Sequence, residues 1–525
     1  MADKTNKLNI YLIKSEYTDF DKIVKVGTTD FPIDHVGTFY ADESHPRPPE
    51  WMVDFFGHAL DGTFRIITSS AKGLLLLQVE HDEDTHILAV TFGQGRHLLN
   101  EGVIEERFGL KVVLNTVDRD SLRSIDKTTL GSGPKQSREQ ISRAGAAANF
   151  GIDIEQDLLG SVTGASKDRR LGKTITGRDT LSVSVKVDMA EIHDFAEVCL
   201  ERYKADDYKV EFDWIDQIKD VRDAKTVHDL DAALVERLRN RELDKIWMAA
   251  PDILDWVDVK GFRYAKRKRA ALQPDLDVSD FLDSLGGEEL DLDRLKGTTI
   301  FVISARTDSD SAHWSAYRCL YAELEFEERV FVLHNGKWYE IAKSFTDEVI
   351  KSFNDMPESD VVLPDYAHVD EGAYNTALPT VIADSFCMDR DMIMHGGGHS
   401  SIEFCDLLTS DKRLVHVKRY SGSTQLSHLF AQGVVSGELF VQDAVFREKL
   451  NAKLPDAYKL PDVQQRPNAG DYEVVFAIIS KSPNPLDIPF FSKVGLRNAR
   501  KRLEAYGYRV TKKKIARSDI AAPAT

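Results

Sequence analysis

The stretch SSIEFCDLLTSDKRLVHVKRYSGSTQLSHLFAQG (residues 400–433) decides how the C-terminal half of this chain folds. Two short apolar runs, 401–408 and 413–420, are joined by the polar turn TSDK and predict two adjacent strands. The following segment, 423–433, predicts a helix that ends at Gly433 as a C-cap. Charged residues interrupt both apolar runs, and that interruption needs an explanation.

Three charged side chains stand in these strands. Side chains alternate along a strand, so His416 and Lys418 are expected on one face, and Asp406 on the neighbouring strand can reach the same rim. Either the fold pairs these charges for structural reasons, or they form a site. A carboxylate binds a hard divalent cation, and such a cation activates water and stabilises a phosphodiester. A neighbouring lysine holds the attacking water or offsets the developing charge.

The residues before this stretch supply more elements. The segment that begins at Glu371 predicts a helix, interrupted or kinked by Pro379. FCMDRDMIM (386–394) predicts a strand, and HGGGH (395–399) a flexible turn. The predicted order is therefore helix, three strands, helix.

This order and these residues resemble the PD-(D/E)XK nuclease superfamily, which includes restriction enzymes and Holliday-junction resolvases. The resemblance implies a mixed-sheet core with flanking helices. It also implies that Glu371 is the helix acid, Asp406 the strand aspartate and Lys418 the motif lysine, while Gln425 or Gln432 is the helix glutamine.

His416 departs from the family pattern, because it stands where the family has Asp or Glu. The resemblance implies a Mg²⁺ or Mn²⁺ cofactor held by Asp406 and His416, and imidazole suits Mn²⁺ better than Mg²⁺. Glu403 is an alternative source of the missing carboxylate, but its odd spacing from Asp406 predicts that it faces the other side. The expected catalytic set is Asp406, His416, Lys418, Glu371 and Gln432.

Most of the chain also resembles a sporadically distributed bacterial family of about this length whose function is uncharacterised. The blocks that carry this resemblance are FGQGRHLL, RFGLKVVLNTVDRDSLRSIDKTTL, CDLLTSDKRLVHVKRYSGSTQLSHLFAQG and IPFFSKVGLRNARKRL. Members of that family tend to sit on mobile or defence islands. The resemblance implies a role in antiphage defence, with a phage-derived trigger as a possible partner.

Charge is distributed unevenly along the chain. The formal net charge is -18, which argues against non-specific nucleic-acid binding by the whole surface. The tail 492–517 is strongly basic, however, and RYAKRKR (263–269) forms a second basic cluster. A predicted phosphate-binding track on the tail consists of Lys493, Arg497, Arg500, Lys501 and Arg502. The expected partner is nucleic acid, DNA in preference to RNA, although solvated helix faces are the alternative interpretation of both clusters.

The chain of 525 residues predicts several domains of an α+β protein. The predicted segments are an N-terminal α+β domain (1–187), a mainly helical middle region (188–295), the nuclease-like domain (296–450) and a basic C-terminal extension (451–525). Residues 131–180 are rich in Ser, Gly and Lys, which is typical of a long connection with little core.

Targeting signals and cofactor motifs are lacking in the sequence. No apolar run approaches the ~20 residues that cross a bilayer, so a cytoplasmic protein without membrane contact is expected. The four cysteines show no metal-binding spacing and are expected as reduced thiols. Two hypotheses remain: a metal-dependent nuclease, or a non-catalytic sensor or scaffold that binds nucleic acid or a phage protein. Self-association is compatible with both.

Overall fold

The computed structural model describes residues 5–42, 46–49, 52–56, 66–82, 84–130, 135–145, 147–150, 152–153, 155–210, 212–252, 254, 256–265, 271–287, 289–395, 401–420 and 423–518. The chain divides into two compact units, the first of residues 1–128 and 136–215 and the second of residues 129–135 and 216–525. The fold is a mixture of helices and mostly antiparallel sheets. Most of the basic cluster 263–269 and most of the turn 395–399 lie outside the described residues.

The first unit is built on one large sheet with the strand order β2-β3-β4-β5-β1-β10-β9-β8-β6-β7. Its strands are β1 Asn6–Leu12, β2 Thr29–Ile33, β3 Gly37–Asp42, β4 Lys72–His81, β5 Asp84–Gly93, β6 Val117–Thr129, β7 Lys135–Gly145, β8 Asp157–Ser166, β9 Thr174–Gly177 and β10 Leu181–Val185. Its helices are α1 Phe20–Ile23, α2 Phe108–Leu114 and α3 Ile192–Lys204. Helices α2 and α3 contribute buried residues to the same apolar cluster as the central strands.

The described part of 131–180 contains three strands rather than the long connection that its composition predicts. β7, β8 and β9 belong to the large sheet, and β8 and β9 pair in antiparallel register. Glycine has a packing role here, because a Cβ on Gly177 would lie 2.0 Å from the carbonyl oxygen of Gly109. The Gly-rich composition therefore reflects close backbone approach within a sheet, which sequence alone does not distinguish from a loop.

The second unit begins with two antiparallel sheets, ordered β11-β18-β17-β16-β12 and β13-β14-β15. The strands are β11 Ile218–Asp220, β12 Ile246–Met248, β13 Val259–Arg263, β14 Thr299–Ser304, β15 Asp310–Ser315, β16 Leu320–Phe326, β17 Arg329–His334 and β18 Lys337–Ile341. The helices are α4 Ala224–Arg239, α5 Val278–Ser284, α6 Leu292–Gly297, α7 Ala316–Cys319 and α8 Lys343–Asn354. In the described part of 188–295, the helices α3, α4, α5 and α6 are interrupted by the short strands β11, β12 and β13.

The rest of the second unit is organised around a mixed sheet with the order β19-β22-β23-β24-β25. Its strands and those of a neighbouring two-stranded sheet are β19 Ser385–Cys387, β20 Ile393–Met394, β21 Ser401–Ile402, β22 Leu407–Thr409, β23 Arg413–Arg419, β24 Glu473–Ser480 and β25 Arg509–Ala516. The helices are α9 Glu371–Val381, α10 Ser423–Gln442, α11 Ala444–Lys453 and α12 Phe490–Tyr506. β19, β22 and β23 are antiparallel, whereas β23, β24 and β25 are parallel.

Apolar residues cover both faces of this mixed sheet. One face packs with buried residues of α10 and α12, and the opposite face packs with Tyr374 and Leu378 of α9. All eight residues of β24 are buried, as expected for a central parallel strand covered on both sides. β24 and β25 thus complete the sheet that holds β22 and β23, so the described part of the predicted extension, residues 451–518, is an integral part of this fold.

α10 is longer than the sequence predicts. It continues through Gly433 to Gln442, and Gly433 is not a C-cap. A Cβ at this position would lie 2.6 Å from Cε1 of Phe476, so the glycine lets the helix approach β24 closely. Among the described residues, no helix combines the length and apolar character that crossing a bilayer requires, and the four cysteines are free thiols.

Candidate metal centre

A polar pocket of about 290 Å³ opens where the first turn of α9 meets the ends of several strands of the mixed sheet. Its lining residues come from α9, from the irregular segments after β19 and before β22, from the end of β23 and from α10: Asp370, Glu371, Gly372, Asp389, Arg390, Glu403, Asp406, Val417, Lys418 and Gln432. The pocket therefore gathers Glu371, Asp406, Lys418 and Gln432, four of the five residues expected from the sequence.

Three carboxylates converge on this pocket. One oxygen from each of Asp389, Glu403 and Asp406 lies within 4.8 Å of the others. Oxygen ligands on opposite sides of Mg²⁺ are about 4.2 Å apart, from bond lengths near 2.1 Å, and those of the larger Ca²⁺ are somewhat farther apart. A separation of up to 4.8 Å is within the span of Ca²⁺ and slightly above that of Mg²⁺, so small side-chain movements would bring the three carboxylates onto one Mg²⁺.

Asp406 is the most buried of these acids, at 7% exposure. Its Oδ2 accepts a 2.7 Å hydrogen bond from the backbone N–H of Val417, which anchors the carboxylate to β23. Burial raises the pKa of Asp406 well above its ordinary value, and the nearby charge of Glu403 raises it further, although the hydrogen bond from Val417 acts in the opposite direction. A bound cation would remove the cost of this buried negative charge.

Glu403 is held through both of its oxygens. Its Oε1 accepts a 2.6 Å hydrogen bond from the backbone N–H of Arg390, and its Oε2 accepts a 2.9 Å hydrogen bond from the amide of Gln432 on α10. Burial raises the pKa of Glu403, and the charge of Asp389 raises it further. The two donors orient the carboxylate toward the other acids without neutralising it.

Asn375, on the inner face of α9, bridges two of the acids. Its side-chain amide donates to Asp389 Oδ1 and to Asp406 Oδ1, both at 3.1 Å. Asn375 is 1% exposed, and its own Oδ1 has no hydrogen-bond partner among the described residues. The amide nitrogen of Asn375 therefore faces the acids and fixes the positions of Asp389 and Asp406 relative to each other.

Lys418 lies at the pocket, one residue before the end of β23. Its ammonium is 2.9 Å from Oε2 of Glu371, and both side chains are about a quarter to a third exposed, at 30% and 26%. Glu371 occupies the first turn of α9, where Asp370 caps the helix by accepting from the backbone N–H of Ala373 at 2.8 Å. The pocket thus places an ammonium near, but not on, the three carboxylates.

His416 lies outside the pocket, which does not fit the expectation that it ligates metal. Alternation places it on the same side of β23 as Lys418, but His416 is 1% exposed and covered by α10, with its ring centre 6.1 Å from that of Phe476. Burial lowers the pKa of His416 to about 4, so the imidazole is neutral. Strand periodicity predicts the face correctly; it does not predict which positions a helix covers.

Asp389 and Glu403 are the site residues that the sequence interpretation did not assign. The residues from 403 to 406 are not in a regular strand, so the alternation that places Glu403 on the far side does not apply. Asp389 follows the short strand β19 instead of lying within a longer strand over 386–394. For Asp389, the available signal was an acid directly after the short apolar run 386–388.

The basic helix α12 differs from the solvent-facing track that the sequence predicts. Lys493 and Arg497 are buried, at 7% and 5% exposure; the first is paired with Asp487 at 2.6 Å and the second with Glu348 at 2.9 Å. Arg500 and Arg502 form ion pairs with carboxylates as well, at 2.7 Å each. Lys501 is exposed. A nucleic-acid role for Arg500, Lys501 and Arg502 stays a prediction.

Comparisons with known proteins place the chain in a family without adding an activity. Searches of curated proteins and of solved structures return no significant match. A family described as being of unknown function, DUF6119, matches residues 8–516, which is nearly the whole length. The chain is therefore a member of the DUF6119 family.

Proposed function

We propose that this protein is a metal-dependent nuclease with a PD-(D/E)XK-like core. The observation that carries the proposal is the convergence of Asp389, Glu403 and Asp406 within 4.8 Å in a pocket that Lys418 also lines. The order of elements supports it: α9, the antiparallel strands β19, β22 and β23, then α10 and the parallel strand β24. With the two-stranded sheet of β20 and β21 inserted after β19, this order is compatible with the mixed-sheet core and flanking helices that the resemblance implies.

Six of the pocket residues have a role in this proposal. Asp389, Glu403 and Asp406 would hold Mg²⁺ or Mn²⁺, with Gln432 orienting Glu403. A divalent cation supplies charge stabilisation for a phosphodiester and lowers the pKa of a bound water. Lys418 would position the attacking water or offset charge on the phosphate, and Glu371 would keep its ammonium at the pocket. The oxygen of water would bond to phosphorus and release one proton to solvent, the bond from phosphorus to the leaving oxygen would break, and that oxygen would take up one proton from solvent, so that one water is added across the bond.

The proposal accounts for the departure at position 416. Glu403 takes the place of the carboxylate that the family carries two residues before its lysine, and it reaches the pocket from the segment before β22. With Glu403 in that position, His416 is not needed as a metal ligand and packs under α10. The pocket retains three acids and one lysine, which is the composition that this chemistry needs.

The test is cleavage by purified full-length protein with Mg²⁺ or Mn²⁺. Substrates are plasmid, linear duplex and single-stranded DNA, and RNA. We expect the wild type to cleave. Lys418→Ala should reduce the cleavage rate about 100-fold or more while Mn²⁺ affinity is retained. Asp406→Asn should lose both cleavage and Mn²⁺ affinity. Equal cleavage by wild type and Lys418→Ala would point to a contaminating nuclease and count against the proposal.

A second candidate, a non-catalytic sensor or scaffold, is favoured by one observation: the ammonium of Lys418 is engaged by Glu371 at 2.9 Å. Metal binding together with salt-dependent DNA binding, but without cleavage of any substrate, would support it. A defence setting is proposed from the resemblance alone. It predicts that bacteria expressing the wild type resist phage and that bacteria expressing Lys418→Ala do not.

A further inference from the structure

Arg390 occupies an unusual backbone position at the edge of the pocket. Its φ is 61°, a left-handed conformation that costs an L-residue roughly 1 kcal/mol. In this conformation its backbone N–H donates to Glu403 Oε1 at 2.6 Å. The backbone of Arg390 is therefore used to orient a carboxylate, and its side chain remains available for another contact.

The guanidinium of Arg390 lies against the first turn of α9. The side chain is 78% exposed, and Nε is 3.7 Å from Asp389 Oδ2. A Cβ added to Gly372 would be 3.1 Å from one terminal nitrogen of Arg390 and 3.2 Å from its Cζ. The absence of a side chain at Gly372 thus lets the guanidinium lie across the helix at the pocket mouth.

Two cationic side chains, Arg390 and Lys418, line the pocket together with the acids. Lys418 is paired with Glu371 at 2.9 Å, and Asp370 caps the N-terminal end of α9. Arg390 makes a looser contact, 3.7 Å from Asp389. A cation between the three carboxylates would engage Asp389, so a phosphate that approached this cation would meet the guanidinium of Arg390.

We propose that Arg390 binds a non-bridging phosphate oxygen of the nucleic-acid backbone next to the cation held by Asp389, Glu403 and Asp406. This inference rests on the proposed function. Arginine suits the role because its planar guanidinium forms paired, charge-assisted hydrogen bonds with phosphate. The guanidinium would contact a backbone phosphate and not a base, so it would contribute affinity without sequence preference.

The test compares Arg390→Ala and Arg390→Lys with Arg306→Ala in the full-length protein. Arg306 is a matched control, because it is 71% exposed and pairs with Asp258 at 2.9 Å, away from the pocket. Binding of a fluorescent DNA duplex is measured with Ca²⁺, Mn²⁺ affinity by calorimetry, and cleavage with Mn²⁺. Arg390→Gly, which adopts a φ of 61° freely, is the second variant if alanine disturbs folding.

We expect Arg390→Ala to weaken DNA binding about tenfold and to reduce the salt-dependence slope by about 0.9. Mn²⁺ affinity should stay within about threefold of wild type, Arg390→Lys should lose less, and Arg306→Ala should match wild type. Unchanged DNA binding by Arg390→Ala, in a protein that binds Mn²⁺ and cleaves, overturns this inference alone. Parallel loss of Mn²⁺ and DNA binding also overturns it, and failure of the wild type to bind Mn²⁺ defeats the proposed function itself.

Discussion

Asp406 Oδ2 accepts a 2.7 Å hydrogen bond from the backbone N–H of Val417, which ties the most buried acid of the pocket to the strand that carries Lys418. The same acid has Asp389 and Glu403 close by. Burial and mutual repulsion raise the pKa values of Asp406 and Glu403. Without a cation, Asp406 and Glu403 therefore hold protons more tightly than ordinary carboxylates do.

Metal binding should consequently release protons. A cation binds the ionised acids, so Mn²⁺ affinity is expected to fall as the pH falls through the raised pKa values of Asp406 and Glu403. Calorimetry in two buffers of different ionisation enthalpy measures the protons released. Asp406→Asn should bind Mn²⁺ at least tenfold more weakly and release fewer protons, whereas Glu328→Gln, which removes an exposed acid, should match wild type. Binding that is independent of pH contradicts this prediction.

Much of this site can be predicted from the sequence because it depends on the order of helices and strands along the chain. The order of elements is enough to bring Glu371 and Lys418 toward one edge of a sheet, and Gln432 follows from its place on the next helix. Asp406 lies in the irregular segment before β22, and the hydrogen bond from Val417 holds it at the same edge. Glu403 and Asp389 were not assigned because they lie in irregular segments, where side-chain direction follows no period. Their positions depend on tertiary contacts, such as the hydrogen bond from Arg390 to Glu403.

The misassigned strands of the first unit have a different cause. β8 and β9 contain Gly164 and Gly177, residues that favour turns when judged by composition. In the structure, each glycine lies where another chain segment approaches closely: the side chain of Val117 lies 3.0 Å from a Cβ built on Gly164, and the backbone of Gly109 lies 2.0 Å from one built on Gly177. Close approach involves residues distant in sequence, so composition alone does not reveal it.

His416 should matter for stability and not for metal binding. Its pKa is about 4 when folded and near 6.5 when unfolded, so the unfolded chain takes up a proton first as the pH falls. Its contribution to stability is complete above pH 6.5 and is lost toward pH 4, with about 2 kcal/mol lost by pH 5.

His416→Met removes this titrating group while keeping an apolar filling under α10. The variant should lose less stability than wild type between pH 7.5 and pH 5, as measured by urea unfolding, and should bind Mn²⁺ within about threefold of wild type. His334, whose pKa burial also lowers to about 4, is present in both proteins and cancels in the comparison. A large loss of Mn²⁺ affinity would contradict this prediction and would mean that His416 is a metal ligand.

Substitutions of two basic residues of α12, Arg497 and Lys501, should distinguish a role in packing from a role in nucleic-acid binding. Arg497 is buried, lies 5.6 Å from the ring centre of Phe345 and pairs with Glu348. Arg497→Ala should therefore cost roughly 2 kcal/mol of unfolding free energy and leave DNA affinity within about twofold. Lys501→Ala should change stability by less than about 0.5 kcal/mol and weaken DNA binding at low salt. Both quantities are measured, by urea unfolding and by duplex binding. Weaker DNA binding by Arg497→Ala with unchanged stability, or a large loss of stability in Lys501→Ala, would contradict the arrangement described for this helix.

Two helical glycines provide the sharpest test of the packing between α10, α12 and the mixed sheet. Alanine normally stabilises a helix by about 1 kcal/mol relative to glycine. At Gly433 the added Cβ would lie 2.6 Å from Cε1 of Phe476, and overpacking of this kind costs about 1–3 kcal/mol. Gly433→Ala should therefore lower the free energy of unfolding despite the gain in helix propensity.

Gly495 in α12 is the matched control. A Cβ there would lie 3.5 Å from Cδ2 of Phe430, an ordinary contact, so Gly495→Ala should raise the free energy of unfolding by up to about 1 kcal/mol. Urea unfolding of the two variants should thus give changes of opposite sign. Stabilisation by both substitutions would mean that α10 does not approach β24 as closely as described, and that His416 is not sealed beneath it.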